Sequence, residues 1–154
     1  MLFSHDYCES RVGEGAPAFK AARAAFENWE MFDLGWVKVA NPDARIAPGQ
    51  VVGVEAHSIG LWSLNFSRIV EVVDTRTSFG FLYATTRCHV EEGEERFLLT
   101  FDEVTGAVAY TLEAVSRPRD PLARLGFPVT RAFQHRFARD SHRRMHEAVL
   151  AAHA

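Results

Sequence analysis

From Gly35 to Val115 the chain is a succession of short segments in which apolar and polar residues alternate, separated by turn signals and never by a helical stretch. Residues 35–39 stop at Asn41-Pro42-Asp43, and Ala47-Pro48-Gly49 precedes residues 51–56. Residues 61–74 set Trp62, Leu64, Phe66, Val70 and Val72 on one face, interrupted by Arg68. Residues 79–85 place Phe79, Phe81 and Tyr83 on one side, and residues 96–101 alternate around Phe97, Leu99 and Phe101. Thr105-Gly106 then turns the chain into residues 107–115, with Val108, Tyr110 and Leu112 in phase. A period of two means one buried face and one at least partly wet, the pattern of an antiparallel sheet. With no helices between the strands there are no parallel crossovers, and the short loops argue for a meander.

Two helical patterns flank this sheet. After a lead-in strand over residues 2–11, Gly13-Glu14-Gly15-Ala16-Pro17 opens a helix, with Pro17 in the first turn where its missing N–H costs nothing. Phe19, Ala22, Phe26 and Trp29 follow at helical spacing, and the helix is expected to end near residues 30–32, before Gly35. Beyond the stop signal Arg117-Pro118-Arg119-Asp120-Pro121, residues 128–153 read as one long helix. Phe133, Phe137, Ser141, Met145, Ala148 and Ala152 fall on one side; Arg136, Arg139, His142, Arg143 and His146 fall on the other. A sheet that is apolar on one face needs a cover, and a long amphipathic helix supplies it. The expected fold is α+β: a curved antiparallel sheet of about six to seven strands gripping a long C-terminal helix, with a short helix after the first strand. All 154 residues are expected to form a single domain, 1–154.

Composition sharpens this picture. The hydrophobic fraction of 47% and charged fraction of 24% belong to an ordinary globular chain and disfavour disorder, collagen and coiled coil. Phenylalanine is over-used, 12 against 3 Trp and 3 Tyr, so the rings either fill a thick core or line something. The net charge of −3 conceals a split: residues 1–116 hold 9 basic and 17 acidic residues, residues 117–154 hold 8 and 3. Cys8 and Cys88 match neither a redox motif nor a zinc knuckle and read as free thiols. No apolar run approaches a membrane span. Where a signal peptide needs its apolar stretch, the N-terminus carries His5, Asp6 and Glu9, so a cytoplasmic protein is expected.

Four segments carry a resemblance: V-G-E-G-A-P-A-F (12–19), W-E-M-F (29–32), H-V-E-E-G-E-E-R-F (89–97) and S-R-P (116–118). In order, and over nearly the whole chain, they resemble an uncharacterised bacterial and plant family built on a domain of unknown function. The chain departs from that pattern at Cys88, where the family carries glycine, and at Val90, where it tends to proline. The family's architecture is similar to the helix-grip superfamily, which includes START lipid-transfer domains, pollen allergens and polyketide cyclases. The resemblance implies a cavity between sheet and long helix able to hold an apolar or amphipathic ligand, and implies no particular activity.

Candidate sites follow. Gly13-x-Gly15-x-x-Ala18 follows no apolar strand and lies in no parallel βαβ unit, as a dinucleotide fingerprint requires, and reads as a tight strand-to-helix turn. His142 and His146 are spaced as a metal pair could be, but no carboxylate or cysteine completes a ligand set, so neither metal nor cofactor is expected. The Arg/His face of the last helix has almost no lysine and no interleaved aromatics, and the acidic remainder repels a polyanion; nucleic acid is not expected. That face reads as solvated and partly paired with acidic groups of the sheet. His89, Glu94 and Glu95, near Tyr83 and Arg117, could transfer protons, or Glu91-Glu92-Gly93-Glu94-Glu95 could be an exposed acidic loop with Gly93 at its turn. Arg68 either points into the interior, pairing with Glu95, Glu113 or an anionic head group, or is turned outward by a twist or bulge. Phe66, Phe81, Phe97, Tyr110, Phe133 and Phe137 line a cavity or fill a core.

Three functional readings result. In the favoured one the chain binds a small apolar or amphipathic molecule, with Arg68, His89 or Arg117 at its polar end. In the second, His89 with Glu94 or Glu95 performs cyclase, isomerase or hydrolase chemistry. In the third, the basic last helix docks an acidic partner protein. A homo-oligomer is compatible with all three.

Overall fold

The computed structural model describes residues 3–87, 91–118 and 126–153. β1 (Ser4–Glu14) runs into Gly15, whose φ of 86° turns the chain into α1 (Ala16–Glu27). Only glycine takes that conformation without steric cost, and its N–H donates to the Gly106 carbonyl at 2.7 Å. The remaining strands are β2 (Val37–Val39), β3 (Val51–Ser58), β4 (Leu61–Asp74), β5 (Ser78–Thr85), β6 (Glu91–Phe101) and β7 (Ala107–Pro118), followed by α2 (Phe127–Ala152). They form one seven-stranded sheet in the order β1-β7-β6-β5-β4-β3-β2, antiparallel at every pairing. The meander runs from β2 to β7, and β1 closes onto β7. This is the expected α+β architecture, with the short helix after the first strand and the long helix at the end.

The core lies between the concave face of the sheet and the two helices. Phe26 and Phe32 below the helices meet Phe81, Phe97 and Tyr110 on the sheet, and all five are sealed from solvent. Phe81 stacks on Phe97 with ring centroids 5.0 Å apart, and Phe32 sits 5.1 Å from Phe97. Burying an aromatic side chain of this size contributes roughly 2–3 kcal/mol, so this cluster is where much of the Phe excess is spent.

Three elements differ from the sequence reading. The first helix stops at Glu27, and Trp29 adopts a left-handed conformation (φ 58°) before a single 3-10 turn at Glu30–Phe32. That break turns the Trp29 ring inward, edge-on to Phe81 at 5.5 Å, and lets its indole N–H donate to the Ala44 carbonyl at 2.8 Å. The acid-rich segment is not a loop: β6 begins at Glu91, and Gly93 pairs with Ser116 inside the ladder. Gly93 is there for close approach, because a Cβ would stand 2.2 Å from the Val115 carbonyl oxygen.

The third difference is the phase of β4. Ser67 and Ile69 are the buried residues of this strand, whereas Trp62, Leu64 and Val70 are exposed. A two-residue period makes a one-residue offset flip every side chain to the other face. The register shift between Ile69 and Glu71 inserts one extra residue, and Val72 then returns to the core side. No single face could therefore hold Trp62 through Val72.

Candidate ligand pocket

A pocket of about 920 Å³ lies between the inner face of the sheet and the first half of α2. Alternation decides which side chains reach it. On β5, β6 and β7 the inward set includes Tyr83, Glu95, Leu112 and Ala114, and the helix contributes Phe133 and Phe137. Phe32, held by the 3-10 turn, lies 5.3 Å from the Phe137 ring and closes the inner end. The walls are thus largely apolar, with Glu95 set among aromatic rings.

Glu95 pairs in register with Tyr83. Burial, reinforced by the Glu95 carboxylate, holds the Tyr83 phenol well above its ordinary pKa of 10.0, so it stays a neutral O–H. Tyr110 is held protonated in the same way, by burial first; its hydroxyl lies 2.8 Å from the Ser141 hydroxyl, which in turn donates to the Met31 carbonyl at 2.8 Å.

The edge of the pocket along β1 is polar: Asp6, Cys8 and Ser10 face inward. His142 of α2 meets them. Its Nδ1 is hydrogen-bonded to the Ser10 hydroxyl, and its ring lies on Tyr110 with centroids 4.4 Å apart. Nε2 is buried with no hydrogen-bond partner among the described residues. Desolvation pushes the imidazole below its ordinary pKa of 6.5, opposed by a hydrogen bond to the Cys8 backbone. At the mouth, Arg131 grips Asp6, with Nη2 2.9 Å from Oδ1, and holds that carboxyl below the usual carboxylate range against its partial burial.

The expected site residues separate into three groups. Tyr83, Glu95, Phe133 and Phe137 line the pocket. Phe81, Phe97 and Tyr110 belong to the sealed core beneath it. Arg68, Phe66, Glu94 and Arg117 are on the outer face: for Arg68 and Glu94 this is the outward alternative of the sequence reading, and for Phe66 and Arg117 it corrects the expectation that they reach the pocket. Arg68 is exposed and donates to the Gly49 carbonyl at 3.2 Å; it pairs with neither Glu95 nor Glu113. Phe66 lies over Gly53, its cross-strand neighbour. Glu94 is exposed, and Arg117 binds Glu92 at 2.7 Å with its guanidinium over Phe3. The physical reason is the same throughout: each sits one residue away from an inward neighbour. His89 lies outside the described residues.

The basic face of α2 is also rearranged. His142 belongs to the buried side, while His146 is exposed, so the two do not form a ligand pair. Arg144 binds Glu30 at 2.7 Å, and Arg136, Arg139 and Arg143 surround Asp140. Desolvation opposes ionisation of Asp140, but the Trp36 indole N–H at 3.0 Å and the arginines outweigh it and keep the carboxyl below its usual range. Sequence reasoning missed His142; its i, i+3, i+7 spacing with Met145 and Val149, both buried, was the available signal.

A family model described as "Domain of unknown function (DUF1990)" matches residues 1–144. The chain belongs to this family. A UPF0548 protein of Dictyostelium discoideum is 37% identical over 158 residues, covering 96% of this chain and 73% of its own length. Among solved structures, the Zhui aromatase/cyclase of Streptomyces sp. R1128 aligns with a TM-score of 0.62 at 14% identity, covering 96% of this chain and 94% of that one. Ara h 8.0201 aligns with a TM-score of 0.59 at 15% identity, covering 97% and 99%. These likenesses place the chain in the helix-grip fold. Among the described residues, no helix is long and apolar enough to cross a membrane.

Proposed function

We propose that this DUF1990 protein is a one-domain cytoplasmic binding protein for a small amphipathic molecule, held between the sheet and α2. The observation that carries this reading is the pocket itself. Its volume falls in the range of small-molecule sites, its walls are largely apolar, and polar groups converge on it from β1, β4 and β6. Phe133 and Phe137 would cover the apolar body of the ligand, and Glu95 and the β1 edge would face its polar atoms. Fold likeness to an aromatase/cyclase is compatible with this reading but supplies no activity.

The test is a titration with anilinonaphthalene sulfonate, an apolar fluorophore with a polar end. Saturable, one-to-one enhancement of its emission is expected, and Phe137→Asp should weaken it at least about ten-fold by placing a charge in the apolar wall. Unsaturable binding, or binding indifferent to Phe137→Asp in a folded variant, would sink the proposal.

A further inference from the structure

The inverted phase of β4 puts a row of small polar side chains where a binding pocket is normally apolar. Ser63, Asn65 and Ser67 all line the pocket, at positions i, i+2 and i+4 of one strand face. They descend from the mouth to the floor: Ser63 is exposed, Asn65 is half-buried, and Ser67 is only 4% exposed. Their cross-strand neighbours on β3 are Ala56, Val54 and Val52, which offer no side-chain hydrogen bond, and Thr85, opposite Ser67 on β5, accepts from the Gly93 N–H instead. The three side chains have no hydrogen-bond partner among the described residues.

Leu61 and Trp62 stand exposed at the rim of the pocket, but turning Ser67 and Asn65 inward while Leu64 and Val70 face solvent runs against the hydrophobic effect. Polar groups placed in a pocket with no internal partner cost stability unless water or a ligand satisfies them. Resting on the pocket reading above, we propose that this row selects the ligand: a rigid amphipathic molecule with two or more hydroxyl or carbonyl oxygens along one edge. The apolar body lies against Phe133 and Phe137 on the helix side. Successive groups of the row are about 6.7 Å apart, two residues of strand rise, so the oxygens are read as a spaced pair along an edge. A serine hydroxyl and an asparagine amide each both donate and accept, which suits hydroxyls and carbonyls and gives no preference for a charged head group.

Three probes of nearly equal size test this by calorimetric or ligand-observed NMR titration. They are naphthalene, a naphthalene diol with both hydroxyls on one long edge, and its isomer with hydroxyls on opposite edges. The same-edge diol should bind about five-fold tighter than the opposite-edge isomer, the worth of one added hydrogen bond. Ser63→Ala/Asn65→Val/Ser67→Ala should abolish that preference while keeping or improving naphthalene binding. Equal binding of the two diols, or a preference that survives the triple substitution, overturns the row while leaving the pocket reading intact. If none of the three probes binds, both fail. Should the triple variant not fold, Asn65→Ser and Ser67→Ala taken singly, each expected to halve the preference or more, replace it.

Discussion

His142 is the residue whose environment most limits its own chemistry. It is 8% exposed, lies against Tyr110, and keeps one nitrogen bonded to Ser10 while the other has no partner among the described residues. A cationic imidazole there would be a buried charge, so burial depresses its pKa below 6.5. For a group depressed on folding, the unfolded chain binds the proton more readily. Its contribution is therefore complete above pH 6.5 and is lost as pH falls through the folded-state value. Chemical denaturation between pH 5 and 8 should show the wild type losing stability toward the acid end and His142→Gln showing a flatter profile. Parallel profiles would contradict the assignment. The spacing of His142 with Met145 and Val149 signalled burial, whereas its place among Arg139, Arg143 and His146 signalled exposure, and the angle at which α2 packs settles between them.

At the scale of elements, the long helix is fastened to the sheet through a small polar cluster inside the core. Ser141 bridges Tyr110 of β7 and the Met31 carbonyl of the 3-10 turn, joining three elements through one hydroxyl. Ser141→Ala removes only the hydroxyl and orphans both partners, which should cost about 1–3 kcal/mol; Tyr110→Phe removes one partner along with its need and should cost less. Urea denaturation of both variants checks the order. The helix-stripe position of Ser141 was legible from spacing, as was the existence of nearly every strand. What misled was β4. Its large apolar residues sit on alternate positions, yet the bulge between Ile69 and Glu71 and the register with β3 and β5 give the interior to Ser67 and Ile69. Periodicity shows that a strand has two faces; it does not say which face the rest of the molecule covers when both carry apolar residues.

For the molecule as a whole, the split in charge is answered internally. Arg131 meets Asp6 and Arg144 meets Glu30, so the basic end of the chain is drawn onto acidic groups of its first third. These exposed or half-exposed pairs contribute modestly, at most about 1 kcal/mol each, and join α2 to β1 and to the 3-10 turn. If a ligand occupies that pocket, it binds the folded chain alone and must stabilise it. A probe at about 100 times its Kd should add about 2.7 kcal/mol. A thermal melt with saturating anilinonaphthalene sulfonate should therefore rise by several degrees, and Phe137→Asp should remove the rise. A melting temperature indifferent to the probe would mean that it binds native and unfolded chains alike.

The sequence by itself determined the architecture: alternating strands without intervening helices, a helix at each end, and rings enough for a large core. Those are properties of local period and turn chemistry, which are written residue by residue. Tertiary structure alone decided which face of each strand is inside. It placed Glu95 in the pocket and Glu94 outside, and it buried His142. It also set Ser63, Asn65 and Ser67 along a wall where the sequence reading had set Leu64 and Phe66. Facing depends on register and bulges between strands far apart in the chain, and one residue of offset inverts it.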